Sequence, residues 1–348
     1  MTTSNGSGPH VTRGIDGAWS RVVSELSAST LAHAPEWFAP IRNTYGHEPL
    51  YLMAEDGAGH AGVLPAFVVR RPLFGTVIAS MPFLDAGGPC ASSAAIAQTL
   101  VERLIAEARE MDARAIELRC TQRLPLATAP MEHKVTLTLP LDADPDRLWR
   151  ELDGSVRNQV RKAARSGVTV HFGRAERLDD FYAVFAKRMR ELGSPVHSRS
   201  FFNAIVDAFG SRARVVVVRK DGAPIGGLLA LAFKDGLAVP WASCLREHFA
   251  LCPNMLLYWE TIRHACLEGF RRFDFGRSTR GSGTHRFKCQ WGAREQPLFW
   301  YAIPVHGRGT RPLPAAGSSA AFLTGSWRHL PLAVTRYLGP RIRRYLTQ

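Results

Sequence analysis

The chain reads as the same succession of elements twice. Residues 50–70 alternate as a strand, a turn at Asp56-Gly57 and a second strand. Residues 214–234 do the same around Asp221-Gly222, the dipeptide type that closes tight hairpins. A third strand-like run follows each hairpin, at Val77–Phe83 and Leu237–Leu245. Next comes a helix with apolar residues near a 3.6 period, Ala94–Met111 and then Met255–Leu267. Short strands follow at Ala115–Arg119 and Arg272–Phe275, and closing strands at Lys134–Leu139 and Leu298–Ile303. Five elements in one order, repeated about 160 residues apart, point to two copies of one α/β (α+β) domain, each a mixed sheet flanked by helices. A chance likeness between two α/β domains is the alternative. The boundaries fall at 15–143 and 144–303, with a basic Pro/Gly-containing tail at 304–348.

The 348 residues carry 46% apolar side chains, enough for two cores, and exclude a disordered, collagenous or coiled-coil chain. Forty-four Lys+Arg against thirty Asp+Glu leave +14. Such a balance calls for an anionic partner: nucleic acid, a phosphorylated substrate or an acidic membrane. Half of it lies in the tail, where residues 304–348 hold seven Arg and no acidic residue. A linker is expected at Pro312, Pro314 and Gly317–Ser319, then a weakly amphipathic stretch, Phe322–Leu346, broken at Pro331 and Pro340. That stretch suits acidic lipid, and equally a helix packed back on the domains.

Met1–His10 lacks the apolar core of a secretory signal, and the longest apolar run, near Ala223–Phe233, is far short of the roughly 18–20 residues that span a bilayer. The six cysteines are scattered without ligand spacing. They read as reduced thiols of a cytoplasmic protein with no metal site, and no base is placed beside any of them to make a nucleophile.

Four constellations carry chemistry. A helix capped by Ser155 and ending at Gly167 puts Arg157, Arg161, Lys162 and Arg165 within about 140° of one face, with no acid among them. This suits phosphate binding, or a solvated face. The segment Arg272–Gly292 carries Asp274, Arg277 and Ser278 at a strand end, then Gly281, Gly283, His285, Lys288 and Trp291. Ligands of α/β sheets bind at such strand ends. Lys288 and Arg277 would stabilise a developing oxyanion, and Asp274 would accept a proton or orient a cation. The plain alternative is a strand–turn–helix whose charges pair locally. Gly87-Gly88-Pro89 offers close backbone approach to a ligand, or an ordinary turn. Met189–His197 is a polar loop between helices Leu178–Leu192 and Phe201–Phe209, and it holds Arg190 and His197 as further substrate contacts.

Four ordered motifs, RNQVRKAARSGV (157–168), MRELGSPVH (189–197), PNMLLYWETIRHACLEGFRRFDFGRS (253–278) and GTHRFKCQWGAREQPLFW (283–300), resemble the FemAB-like transferases. They look most like the branch associated with exosortase/PEP-CTERM and exopolysaccharide gene clusters. The resemblance covers residues 15–303. It implies two tandem GNAT-like acyltransferase domains and transfer of an acyl or aminoacyl group to an amine of a cell-envelope or exopolysaccharide precursor.

No cofactor is expected to stay bound. The implied co-substrate is aminoacyl-tRNA or acyl-CoA. GNAT domains that use CoA carry a glycine-rich pyrophosphate loop before the central helix. Here Arg246–Asn254 has no glycine and a proline, which disfavours a standard acetyl-CoA site. In the implied mechanism, Lys288 stabilises the oxyanion and Asp274 helps remove the amine proton. Asn254 and Tyr258, one helical turn apart, line the crevice with Arg277 and Ser278, while Arg157, Arg161 and Lys162 hold phosphates. The expected partners are a phosphorylated or lipid-linked precursor, tRNA as donor and the inner face of the plasma membrane through the tail, not DNA. The competing readings are an acyl-CoA-dependent N-acyltransferase acting on an amino sugar and a non-catalytic, membrane-docked binding protein.

Overall fold

The structure, a computed structural model, describes residues 9–15, 17–72, 74–306 and 325–347. The linker expected at 312–319 lies outside them. The described residues divide into two compact units. One takes those within Met1–Glu132, Pro297–Leu313 and Tyr345–Gln348, the other those within His133–Gln296 and Pro314–Arg344.

The first unit runs β1 (His10–Arg13), α1 (Gly17–Glu25), α2 (Phe38–Tyr45), β2 (Glu48–Glu55), β3 (Ala61–Arg71), β4 (Gly75–Ala79), β5 (Cys90–Ala91), α3 (Ala94–Glu110) and β6 (Ala115–Cys120). After β7 (Met131–Pro140), the second runs α4 (Pro145–Glu151), α5 (Gly154–Arg165), β8 (Val168–Gly173), α6 (Leu178–Glu191), α7 (Arg199–Phe209), β9 (Ala213–Lys220), β10 (Ala223–Phe233), β11 (Gly236–Cys244), α8 (Pro253–Leu267), β12 (Arg272–Thr279) and α9 (Gly283–Cys289). Then come β13 (Arg294–Pro304) and a tail helix, Leu332–Arg343.

The two sheets follow one plan. In the first unit the strand order is β1-β2-β3-β4-β6-β13, and in the second β8-β9-β10-β11-β12-β7. Every neighbour is antiparallel except β4·β6 and β11·β12. Those two pairs are parallel because a helix crosses over between their strands, α3 in one unit and α8 in the other. Ile96, Leu100 and Leu104 of α3 pack on Leu52, Leu64 and Val68. Leu257 and Ile262 of α8 pack on Leu228, Leu237 and Phe273, and Val156 and Val160 of α5 join that core. Asp221 and Gly222 both take positive φ, as the β9–β10 turn requires.

Two expectations change. The closing strands are exchanged: β7, which follows the first repeat, pairs with β12, and β13, which follows the second, pairs with β6. Alternating apolar residues specify a strand but not its neighbour. The cap of α5 is Asp153, whose Oδ1 accepts from Ser155 N at 2.7 Å, rather than Ser155. The tail helix packs back on the second unit. Gly339 is buried against Val196, and Arg336 lies over the Tyr182 ring at 5.2 Å. Among the described residues no helix is long and apolar enough to cross a membrane.

Candidate functional site

β11 and β12 pair over only three residues, Gly236↔Arg272, Leu237↔Phe273 and Ala238↔Asp274. Both strands then bulge. Between Leu229 and Leu231 of β10 the register shifts by one extra β11 residue, in the stretch that contains Pro240. β12 shifts against β7 between Asp274 and Arg277. A proline has no N–H for a ladder, and a bulge bends its strand. Beyond this point the two strands continue to Cys244 and Thr279 unpaired with each other, so they part in front of α8 and leave a crevice there.

The β12 bulge is held by the two side chains expected to be catalytic. Asp274 Oδ1 accepts from Gly276 N at 2.8 Å and from Thr136 Oγ1 at 3.0 Å. Lys288, on α9 and buried, donates Nζ to Gly276 O at 2.9 Å and Arg277 O at 2.7 Å. Gly276 has φ +70°, a conformation that only glycine adopts cheaply. Both residues thus stand at the mouth of the crevice, but each is spent on fixing main chain there. The extra residue also turns Ser278 to the face of Phe273 and Phe275, where its hydroxyl is buried without a partner among the described residues. Arg277 stays half-buried on the opposite face, across from Thr136.

Tyr258 and Asn254 flank the crevice from the first turns of α8. The Tyr258 ring stacks on Phe275 at 5.4 Å and meets Phe287 edge-on at 5.1 Å. Its hydroxyl has no hydrogen-bond partner among the described residues and is not sealed off. Burial, with the neighbouring Cys244, pushes its pKa far up, so it stays a donor. Burial also raises Cys244 to about 12, a thiol rather than a nucleophile. The C-terminal turn of α6 joins the rim: Lys187 pairs with Glu247 at 2.9 Å, and Arg188 lies 5.3 Å over Phe249. Arg190, next on that turn, is half-buried, its Nε without a partner among the described residues.

Other expected residues lie elsewhere. Arg157 is half-buried, its Nε without a partner among the described residues, Lys162 is exposed, and Arg161 covers the Trp149 ring at 5.4 Å. Their helix, α5, packs on α8 and β8. His197 is not an open contact: it is buried, stacked on Phe201 at 4.7 Å, and its Nε2 accepts from Arg343 Nε at 3.0 Å. Burial and that guanidinium hold its pKa well below 6.5. The reading that no base adjoins a cysteine also changes: His285 Nε2 is 3.6 Å from Cys289 Sγ, one turn away on α9. Glu295 holds the same nitrogen at 2.7 Å, and burial raises the thiol, so the pair makes no thiolate.

In the first unit the matching position is filled. β4 and β6 also pair over three residues, Val77↔Ala115 to Ala79↔Glu117. The chain that follows β4 then folds back. Gly87 N and Gly88 N both donate to Arg119 O, and the buried Arg119 donates Nη1 to Met81 O and Leu84 O. Gly87-Gly88 therefore offers no free amide to a phosphate.

Two mixed sheets on one six-strand order, the first with β5 added beside β3, each with one parallel pair that parts before a central helix, make this a tandem GNAT-type fold. Residues 151–288 match the acetyltransferase (GNAT) domain family. The chain is similar to the crystal structure of FemX at 15% identity and TM-score 0.64, over 84% of this chain and 97% of that one. It is similar to a tandem GNAT protein from the clavulanic acid biosynthesis pathway at 11% and 0.56, over 86% and 100%. It is also similar to the C-terminal domain of a putative lysylphosphatidylglycerol synthetase from Agrobacterium fabrum at 12% and 0.55, over 88% and 93%. None of the curated proteins compared with the sequence matches it. These identities speak for the fold.

Proposed function

We propose that the second unit transfers an acyl or aminoacyl group to an amine of a cell-envelope or exopolysaccharide precursor, phosphorylated or lipid-linked. The observation that carries this reading is the parting of β11 and β12. An open strand edge offers N–H and C=O groups to an extended, amide-bearing donor, and the carbonyl to be attacked would lie at the bulge. The amine nitrogen attacks that carbonyl, a C–N bond forms and the C–S or C–O bond to the carrier breaks. The amine proton leaves and the leaving group takes one up. Tyr258, a donor with no hydrogen-bond partner among the described residues, is suited to bonding the oxyanion or protonating the leaving atom. Lys288 and Asp274 hold the bulge in register with the carbonyl, and the Lys288 charge favours the oxyanion. Arg190 and the α5 arginines suit the phosphates of donor or acceptor.

The matched GNAT family supports acyl-CoA as donor, whereas the FemAB-like motifs and the glycine-free Arg246–Asn254 loop support aminoacyl-tRNA. Melting curves with acyl-CoA, charged tRNA and nucleotide-linked amino sugars separate them, since a ligand at 100 Kd stabilises by about 2.7 kcal/mol. One donor class is expected to raise the Tm and to label an amine acceptor, and Tyr258→Phe to keep the fold while slowing transfer by about 10²–10³. No donor shift and no transfer with any pair would leave a binding protein instead.

A further inference from the structure

The carboxylate of Asp274 is fixed from two strands. Gly276 N donates to Oδ1 at 2.8 Å from within the bulge, and Thr136 Oγ1 donates to the same oxygen at 3.0 Å from β7. Asp274 pairs in register with Thr138, and Thr136, two positions back along β7, stands opposite Arg277. β7 is the strand that follows the first repeat in the sequence. An aspartate bonded only to its own main chain two residues on makes a local turn and can swing out of it. A donor on the neighbouring strand takes that freedom away.

The first sheet supplies the comparison. There Glu117 pairs with Ala302 of β13, and two positions back stands Trp300, opposite Arg119. The Trp300 ring lies 5.2 Å from that guanidinium, and its Nε1 donates to Asp85 O at 3.2 Å. The closing strand thus carries a large ring where the parting is filled. At the corresponding position of the second sheet it carries a small hydroxyl that reaches the carboxylate.

We propose that Thr136 is a positioning residue for the transfer proposed above. It aims Asp274, and Asp274 in turn holds the Gly276 amide and the bulge at which the donor carbonyl would lie. The role in transfer rests on the acyl-transfer reading, whereas the hold on the bulge is measurable without it.

The test compares the full-length parent with Thr136→Val and Thr136→Ser. Valine keeps the shape and deletes the donor, and serine keeps the donor. Hydrogen exchange at the Gly276 amide is expected to quicken by about tenfold or more in the valine variant. It should stay near the parental rate in the serine variant, and the amides of α8 should not change in either. With the donor and acceptor that serve the parent, valine should lower the rate at saturating donor by about ten- to a hundredfold, with the donor KM little changed. Serine should restore most of that rate. The proposal is overturned if Gly276 exchanges at the parental rate in the valine variant. It is overturned as well if Gly276 and α8 quicken together, which marks a plain loss of stability, or if transfer is indifferent to valine. A parent that transfers nothing to any acceptor sinks the acyl-transfer reading instead, and the Gly276 amide then decides alone whether Thr136 sets the bulge.

Discussion

Replacing Lys288 by methionine keeps a stem of similar length and deletes the ammonium. In the parent protein this group donates to two carbonyls, Gly276 O at 2.9 Å and Arg277 O at 2.7 Å, and the residue is only 7% exposed. Hydrogen bonds to a charged group contribute about 1.5–3 kcal/mol each, and relief of burying the ammonium offsets part of that. We therefore expect a loss of about 2–4 kcal/mol, which lowers the Tm by about 5–15 °C in a unit of this size. Thermal and urea melts read it directly. A Lys288→Met protein that melts with the parent would refute the reasoning that Lys288 pins the bulge. Gly276→Ala supplies the control: it strains the same bulge through φ +70° and leaves the ammonium in place. If both variants reduce transfer equally, Lys288 acts by position. If Lys288→Met abolishes transfer while Gly276→Ala spares it, the charge itself is used.

Two further outcomes follow from the tail. The buried His197 stays neutral well below 6.5 in the folded chain but takes up a proton near 6.5 when unfolded. The unfolded state thus binds more protons below 6.5, so stability is at its full value above that pH and falls as pH drops below it. His197→Phe should flatten that part of the slope in urea melts taken from pH 7.5 to 5, and an unchanged slope would assign it to other groups. A Cβ at Gly339 would stand 2.9 Å from Val196 Cγ1 and 3.0 Å from Val196 N. Gly339→Val should therefore cost about 1–3 kcal/mol and speed limited proteolysis of the tail; a variant with parental melting and proteolysis would show that the contact yields freely.

The repeated plan was legible because its signals are local. Asp56-Gly57 and Asp221-Gly222 mark the hairpins, and the 3.6 period marks α3 and α8. The exchange of β7 and β13 was not, since Val135, Leu137 and Leu139 alternate alike whichever sheet they join. At the site, residue types pointed to Asp274–Ser278 and Lys288, which the fold brings together at the β12 bulge. Their roles were hidden by one extra residue in β12. A bulge turns a carboxylate and an ammonium toward main chain, and in the sequence its trace is Gly276 alone. His197 looked like a polar loop residue because its partner, Arg343, lies 146 positions further on.

The two copies share a register, and a single position separates a filled crevice from an open one. Counting from the last parallel pairs, Ala79↔Glu117 and Ala238↔Asp274, the carboxylate of Glu117 corresponds to Asp274. Two residues on, Arg119 corresponds to Gly276. In the first unit that side chain is 2% exposed, bonds Met81 O and Leu84 O, and is covered by the Trp300 ring at 5.2 Å. In the second unit there is no side chain at all, φ is positive, and a lysine from outside the strand takes over the exposed carbonyls. An internal arginine closes the parting with the protein's own chain. A glycine held from α9 keeps the same parting open. Of two sheets built to one plan, the second thus leaves this position of its parted strands without a side chain, which is what supports our proposal that the donor lies there.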